Sequence, residues 1–354
     1  MRLLDVSSLR LVQFNDDRAV EGAYAILSHT WDTNPKNEVS YKDLKRDKTV
    51  DEFARRKAKD KAGFSKVDHA CRQAQKDGYK YIWIDTCCIN KDSSAELSEA
   101  INSMYRWYAN AGICYAYLSD VSTEKVTADK AKLEAKLSKA KWFERGWTLQ
   151  ELIAPSAMQF FDRDWRKFGA KTDLTDIISN ITGIDRTILL NRDLLGSACI
   201  GTRMSWAAKR QTTRIEDEAY SLLGIFGVNM PMIYGEGPRA FLRLQEEILR
   251  RSTDISIFAW LPWKPDTRGV LFAPGAKGFE RCGKVYPAAD MTGGRAFELT
   301  NKGLRISLRV SDMGDHYLAS LVCVHPQHPK RDLSETPQAW VSSRGRPRDG
   351  LFSV

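Results

Sequence analysis

Compact apolar runs alternate with amphipathic stretches through the first third of the chain. Residues 24–28 (YAILS) form a short apolar run that ends in His29-Thr30-Trp31. Residues 65–77 have helical patterning, with Ser65 three positions before Asp68 as a start signal and Gly78 as the stop. YIWID at 81–85 reads as a strand leading into CCIN. In the window 94–110, Leu97, Ile101, Met104, Tyr105 and Tyr108 line one helical face. ICYAYLSD at 113–120 is a third strand. This order predicts an α/β fold, with right-handed crossovers joining the parallel strands of a central sheet covered by helices.

Further along, the Lys-, Ala- and Glu-rich stretch 122–141 predicts an exposed helix, and 142–155 a second helix stopped near Pro155. MQFFD (158–162) reads as a strand and LTDIISNITG as a helix capped by Gly183. Residues 203–251 turn helical. Beyond 254, SIFAW, AFELT, LRISLRV and HYLASLVCV are strand-like, with Asn301-Lys302-Gly303 as a turn. The expected layout is a domain over 1–260 with its core at about 20–162, then a β-rich region over 261–354. The Pro-, Arg- and Ser-rich tail after 326 reads as a loop or disordered end.

Composition narrows the class. The 354 residues carry 54 Lys+Arg and 45 Asp+Glu, a net charge of +9. The densest stretch, 42–80, holds thirteen basic and seven acidic residues in helix-like sequence, which a solvated face explains better than nucleic-acid binding. Seven cysteines without a CxxC pair point to reduced thiols in a cytoplasmic protein and to no metal site. No apolar run approaches the roughly 18 residues of a membrane span, and no signal peptide is evident. Neither GxGxxG nor GxxxxGK[ST] follows a strand, which disfavours a P-loop or standard dinucleotide site and any required cofactor.

In open parallel sheets, ligands bind beyond the strand carboxyl ends. Here those ends deliver Ser28, His29 and Trp31, then Asp85, Cys88 and Asn90. His29 suits acid/base work or ligand contact, against a histidine satisfied by backbone. Asp85, emerging from an apolar strand, needs a partner. It orients His29, binds a ribose hydroxyl or caps the next turn. Cys88 beside His29 is a nucleophile pair or simple packing. Glu96 fits a capping box with Ser93 and also a functional carboxylate lining a cleft, with Glu99 as its neighbour. In ERGWTLQEL, Arg145 and Trp147 suit clamping an anion and stacking on a base. Alternatively Trp147 packs on the core while Arg145, Gln150 and Glu151 make internal polar bonds.

Three of these segments resemble the signature blocks of the fungal heterokaryon-incompatibility (HET) domain: YAILSHTW (24–31), YIWIDTCCINKDSSAELSEAINSMYRWYANA (81–111) and ERGWTLQELIAP (144–155). The stretch 203–249 resembles the continuation found in many HET proteins, so the likeness covers about residues 1–260. Asp32 stands where the first block usually has Gly, and Lys91 where the second often has Gln.

The resemblance implies a fungal cell-death effector in vegetative incompatibility and non-self recognition, here as a stand-alone or truncated form. The family is similar to Toll/interleukin-receptor (TIR) domains, which implies a TIR/flavodoxin-like core. Some TIR domains cleave NAD with a glutamate near a helix start, the position that Glu96 matches. The expected activity is then NAD glycohydrolysis, with NAD as substrate. The rival expectation is a non-enzymatic module that signals death by self-assembly or by binding incompatibility partner proteins.

Overall fold

The computed structural model describes residues 1–45, 58–124, 129–263 and 271–283, with the backbone of short strands between 286 and 353. The chain divides into two compact units, Met1–Asp193 and Leu194–Val354. That boundary falls inside the 1–260 stretch expected to form one domain.

The first unit is built on a seven-stranded sheet. Its strands are β1 (Arg2–Asp5), β2 (Leu11–Gln13), β3 (Tyr24–His29), β4 (Tyr81–Trp83), β5 (Ile113–Tyr117), β6 (Met158–Phe161) and β7 (Lys167–Ala170), in the order β2-β1-β4-β3-β5-β6-β7. β3 pairs in parallel with both β4 and β5, and β5 with β6. The remaining pairs, β1 with β2, β1 with β4 and β6 with β7, are antiparallel. A four-stranded parallel core is thus closed by antiparallel edges. All six residues of β3 are buried, as expected of a central strand covered on both faces. Counted within the core, the order is 2-1-3-4, the start of the doubly wound flavodoxin-like order. That order places its switch point at the carboxyl ends of β3 and β5.

The unit's helices are α1 (Tyr41–Leu44), α2 (Phe64–Lys76), α3 (Asp85–Cys88), α4 (Ser94–Asn110), α5 (Lys130–Leu137), α6 (Lys141–Glu144), α7 (Thr148–Ile153), α8 (Thr175–Thr182) and α9 (Arg186–Leu190). α4 buries Ala100, Ile101, Met104, Trp107 and Tyr108 along one stripe. Trp83 of β4 meets Trp107 and Tyr108 edge-on. Gly112, between α4 and β5, is required by close approach: a Cβ there would lie 2.5 Å from the Gly22 carbonyl oxygen.

Several expected boundaries shift. β4 stops at Trp83, and Asp85 opens the short helix α3 rather than closing a strand. Helix α2 starts after Gly63, and Ser65 makes no cap hydrogen bond because its hydroxyl donates to the Ala62 carbonyl. Gly78, at φ +85°, ends that helix as expected. The stretch 122–141 is helical only from Lys130, with 125–128 outside the described residues.

In the second unit α10 (Ile200–Ser205), α11 (Asp217–Tyr220), α12 (Leu223–Phe226) and α13 (Arg239–Leu249) precede the short strands. SIFAW forms a 3-10 turn, Ile255–Phe258, where a strand was expected; the Asp254 side chain caps it by accepting from Ser256 N–H. β8 (Glu298–Thr300) and β9 (Gly303–Ile306) pair antiparallel around the expected turn. Most of the tail after 326 lies outside the described residues, but Gln338–Val341 pairs with β10 (Tyr317–Ser320), where a loop was expected.

Candidate functional site

β3 ends at His29, and α3 begins at Asp85 two residues beyond β4, so the parallel pairing of the two strands brings these side chains together. His29 Nε2 lies 3.4 Å from Asp85 Oδ1, with the imidazole fully buried. Neither ring nitrogen has a hydrogen-bond partner among the described residues. Burial, and then the charges of Lys66, Arg145 and Lys91, hold the His29 pKa well below its usual range, so the ring is neutral. A neutral imidazole carries one donor and one acceptor. Leaving such groups unpaired in the interior costs about 1–3 kcal/mol each.

Asp85 is anchored on its other side, where Oδ2 accepts from Trp31 Nε1 at 2.7 Å. The Trp31 ring stands at the surface, 38% exposed. Two cations sit on it: Lys91 Nζ at 3.4 Å and the Arg145 guanidinium at 5.2 Å from the ring centre. Arg145 is presented by the turn between α6 and α7, where the Thr148 hydroxyl binds the Trp142 and Arg145 carbonyls.

Beneath this cluster lies a buried polar layer. Trp142 Nε1 donates to Ser28 Oγ at 2.8 Å, and Ser28 donates to Glu151 Oε2 at 2.5 Å. Burial pushes the Glu151 carboxyl up to about 7. The charge of Asp85 adds to the rise, while the Ser28 hydroxyl and Arg145 oppose it. Glu151 therefore changes charge near neutral pH, directly behind His29 and Asp85.

Glu96 belongs to a different node. Its carboxylate binds the Arg2 guanidinium through Oε1 at 2.5 Å and Oε2 at 3.3 Å, and accepts from Asn90 N–H at 2.8 Å. Arg2 also donates to the Cys88 carbonyl and lies over Tyr41. Ser93 caps Glu96 N–H, but Glu96 returns its hydrogen bond to Asn90, so the expected capping box is half made. Burial raises the Glu96 pKa, but the bonds from Arg2 and Asn90 outweigh it and the net shift is downward. The carboxylate is ionised, as expected, through its partners.

The expected residues thus separate. His29, Trp31, Asp85 and Arg145 gather around one point, with Ser28 and Glu151 behind. Asn90, Cys88 and Glu96 join Arg2. The Cys88 thiol is buried, accepts from Ile84 N–H and is pushed up to about 12, so it holds no thiolate at neutral pH. Gln150 is buried with its amide on Met104 Sδ, Trp147 is half-buried at the start of α7, and Glu99 is exposed. Sequence reasoning missed two cations: Lys91, which lies on Trp31, and Arg2, which holds Glu96. Lys91 carried one signal, its departure from the family pattern. Among the described residues no three His, Cys, Asp or Glu side chains converge as metal ligands, and no helix is long and apolar enough to cross a membrane.

Residues 24–136, which hold β3 to β5 and their carboxyl ends, match the heterokaryon incompatibility protein (HET) family. The chain carries a HET domain. Residues 239–285 match a domain of unknown function, DUF8212, so that match begins with α13. Over 227 residues the HET-domain chain is 48% identical to the vegetative incompatibility protein HET-E-1 of Podospora anserina. That match takes in 64% of this chain and 16% of the relative, so the chain spans less than a fifth of that protein's length. No solved structure matches the chain.

Proposed function

We propose that this chain is a cell-death effector of vegetative incompatibility, acting in the cytoplasm through a small-molecule site at the carboxyl ends of β3 and β4. The reading draws on the HET domain and on the likeness to an incompatibility protein. The observation that carries the site is the fully buried His29, with both ring nitrogens unbonded beside Asp85. The chemistry proposed there is NAD glycohydrolysis. The bond between ribose C1′ and the pyridinium nitrogen breaks, and nicotinamide leaves neutral with the electron pair. Water adds to C1′ and gives up a proton, yielding ADP-ribose. The Asp85 carboxylate offsets the positive charge that develops on the ribosyl carbon, with the buried His29 imidazole behind it as a positioning group. Glu151 lies behind them as a proton acceptor, since its carboxyl titrates near neutrality.

The test is incubation of the purified chain, free and artificially clustered, with NAD, followed by chromatography. Released nicotinamide that disappears in Asp85→Asn supports the reading. Absence of release under both conditions overturns it.

A second reading, death signalling by self-assembly or partner binding without catalysis, is favoured by Glu96. The carboxylate that the family analogy selects is held by Arg2 and Asn90, as a structural group would be. Normal killing by a chain that releases no nicotinamide would select this reading.

A further inference from the structure

We infer that Lys91 and Arg145, mounted on Trp31, form a diphosphate subsite, so that the ligand is a phosphorylated nucleotide rather than a free base or nucleoside. The inference deepens the site proposed above and rests on it.

Lys91 Nζ lies 3.4 Å from the centre of the Trp31 ring and has no hydrogen bond or carboxylate partner among the described residues. Three other lysines of the unit have carboxylate partners. Lys66 binds Glu38 at 2.5 Å, Lys61 binds Asp43 at 2.6 Å, and Lys42 binds Asp92 at 2.7 Å. Asp85, the nearest acid to the ring, uses Oδ2 for the Trp31 N–H and lies against His29 with Oδ1. An ammonium has three N–H donors, and an aromatic face satisfies one direction only.

The surroundings also penalise this cation. The side chain reaches the surface, yet burial of its head lowers the Lys91 pKa, with Arg145 contributing and Asp85 and Glu38 opposing. A bound anion would relieve both the desolvation and the repulsion from Arg145. Among anions, a diphosphate fits best. Both cations lie against the same ring, at 3.4 and 5.2 Å from its centre, and a group with two linked phosphates brings the charge and the oxygens to engage both. Asp85, partly exposed and backed by His29, then faces the part of the ligand beyond the phosphates. Trp31 acts here as a positioning residue, holding the cations and, through its N–H, orienting Asp85.

The test is calorimetric titration of the full chain with inorganic pyrophosphate, ADP-ribose and adenosine. Wild type is expected to bind pyrophosphate and ADP-ribose, with binding weakened by raising salt from about 50 to 500 mM, and to bind adenosine at least tenfold more weakly. Lys91→Gln, a change at an exposed position, should weaken pyrophosphate and ADP-ribose by roughly tenfold or more and leave adenosine unchanged. Lys80→Gln is the control, since Lys80 lies 5.3 Å from the Tyr81 ring and should have no effect. If ADP-ribose binds but pyrophosphate does not, and Lys91→Gln is silent, the subsite is wrong while the site stands. If no phosphorylated ligand binds and no nicotinamide is released, both readings fall together.

Discussion

Two polar nodes of the first unit, Arg2–Glu96 and His29–Asp85, differ in how their hydrogen-bonding capacity is used. At the Arg2–Glu96 node the carboxylate takes two guanidinium bonds and a backbone N–H, while Arg2 also reaches the Cys88 carbonyl. At the His29–Asp85 node an imidazole sits buried with neither nitrogen bonded, and a lysine rests on an indole without a carboxylate. Saturation marks a joint: the first node ties β1 to the loop before α4. The unmet capacity of the second node is the observation on which the proposed site rests. The helix-start glutamate attracts attention by family analogy, whereas this difference in hydrogen-bonding capacity favours the strand ends, the site proposed above.

The comparison can be broken most forcefully at Asp85. If the strand-end node is catalytic, Asp85→Asn should reduce nicotinamide release by about 100-fold or more, since neutral asparagine cannot offset the developing ribosyl charge. Asparagine still accepts from Trp31, so the melting temperature should move little. Thermal melts run beside the chromatographic assay read both.

The next effect is one of pH. Glu151 has a folded pKa raised to about 7 against an ordinary value of 4.5. Between those values the folded state binds more protons than the unfolded state, so this group's contribution falls as pH rises from about 4.5 to 7. His29 acts oppositely: its folded pKa is depressed, so its contribution is lost as pH falls below about 6.5. Glu151→Gln removes the first slope and leaves the second. Relative to wild type, the variant should gain on the order of 3 kcal/mol between pH 5 and 8, measured by denaturant melts across that range. A constant difference would show that Glu151 does not titrate there.

Smaller effects belong to the saturated node. Arg2 and Glu96 are partly buried, with side-chain exposures of 16% and 30%. Arg2→Ala or Glu96→Gln should cost about 1–2 kcal/mol of stability, allowing for solvent screening. The Glu96 contribution should vanish in acid, because its depressed folded pKa means that stability is lost as pH falls through it. Both variants should still bind ADP-ribose when folded. Cys88→Ser should change least: cell killing in a yeast or fungal expression test should persist. Loss of killing in a normally folded Cys88→Ser protein would restore a thiol mechanism.

The parallel core was legible in sequence because strands buried on both faces leave compact apolar runs, as in YAILS, YIW and ICYAY. β1 and β2 were not. RLLD and LVQ are only four and three residues long and half-buried, below what alternation can signal. At the site, the strand-end rule selected His29, Trp31 and Asp85 without structural information. The cations escaped it. Lys91 joins Trp31 across 60 positions and Arg2 joins Glu96 across 94. A lone loop cation looks in sequence like any solvated charge. SIFAW misled for a related reason: a short apolar run suits a strand or a buried turn, and the Asp254 cap decided for the turn.

The most direct measurement compares cell killing by Asp85→Asn and Glu96→Gln, expressed side by side at matched folded protein levels. With the functional site at the strand ends, Asp85→Asn fails to kill while Glu96→Gln kills as wild type does. Killing by Asp85→Asn together with loss of killing in Glu96→Gln would contradict the account and return the site to the start of α4.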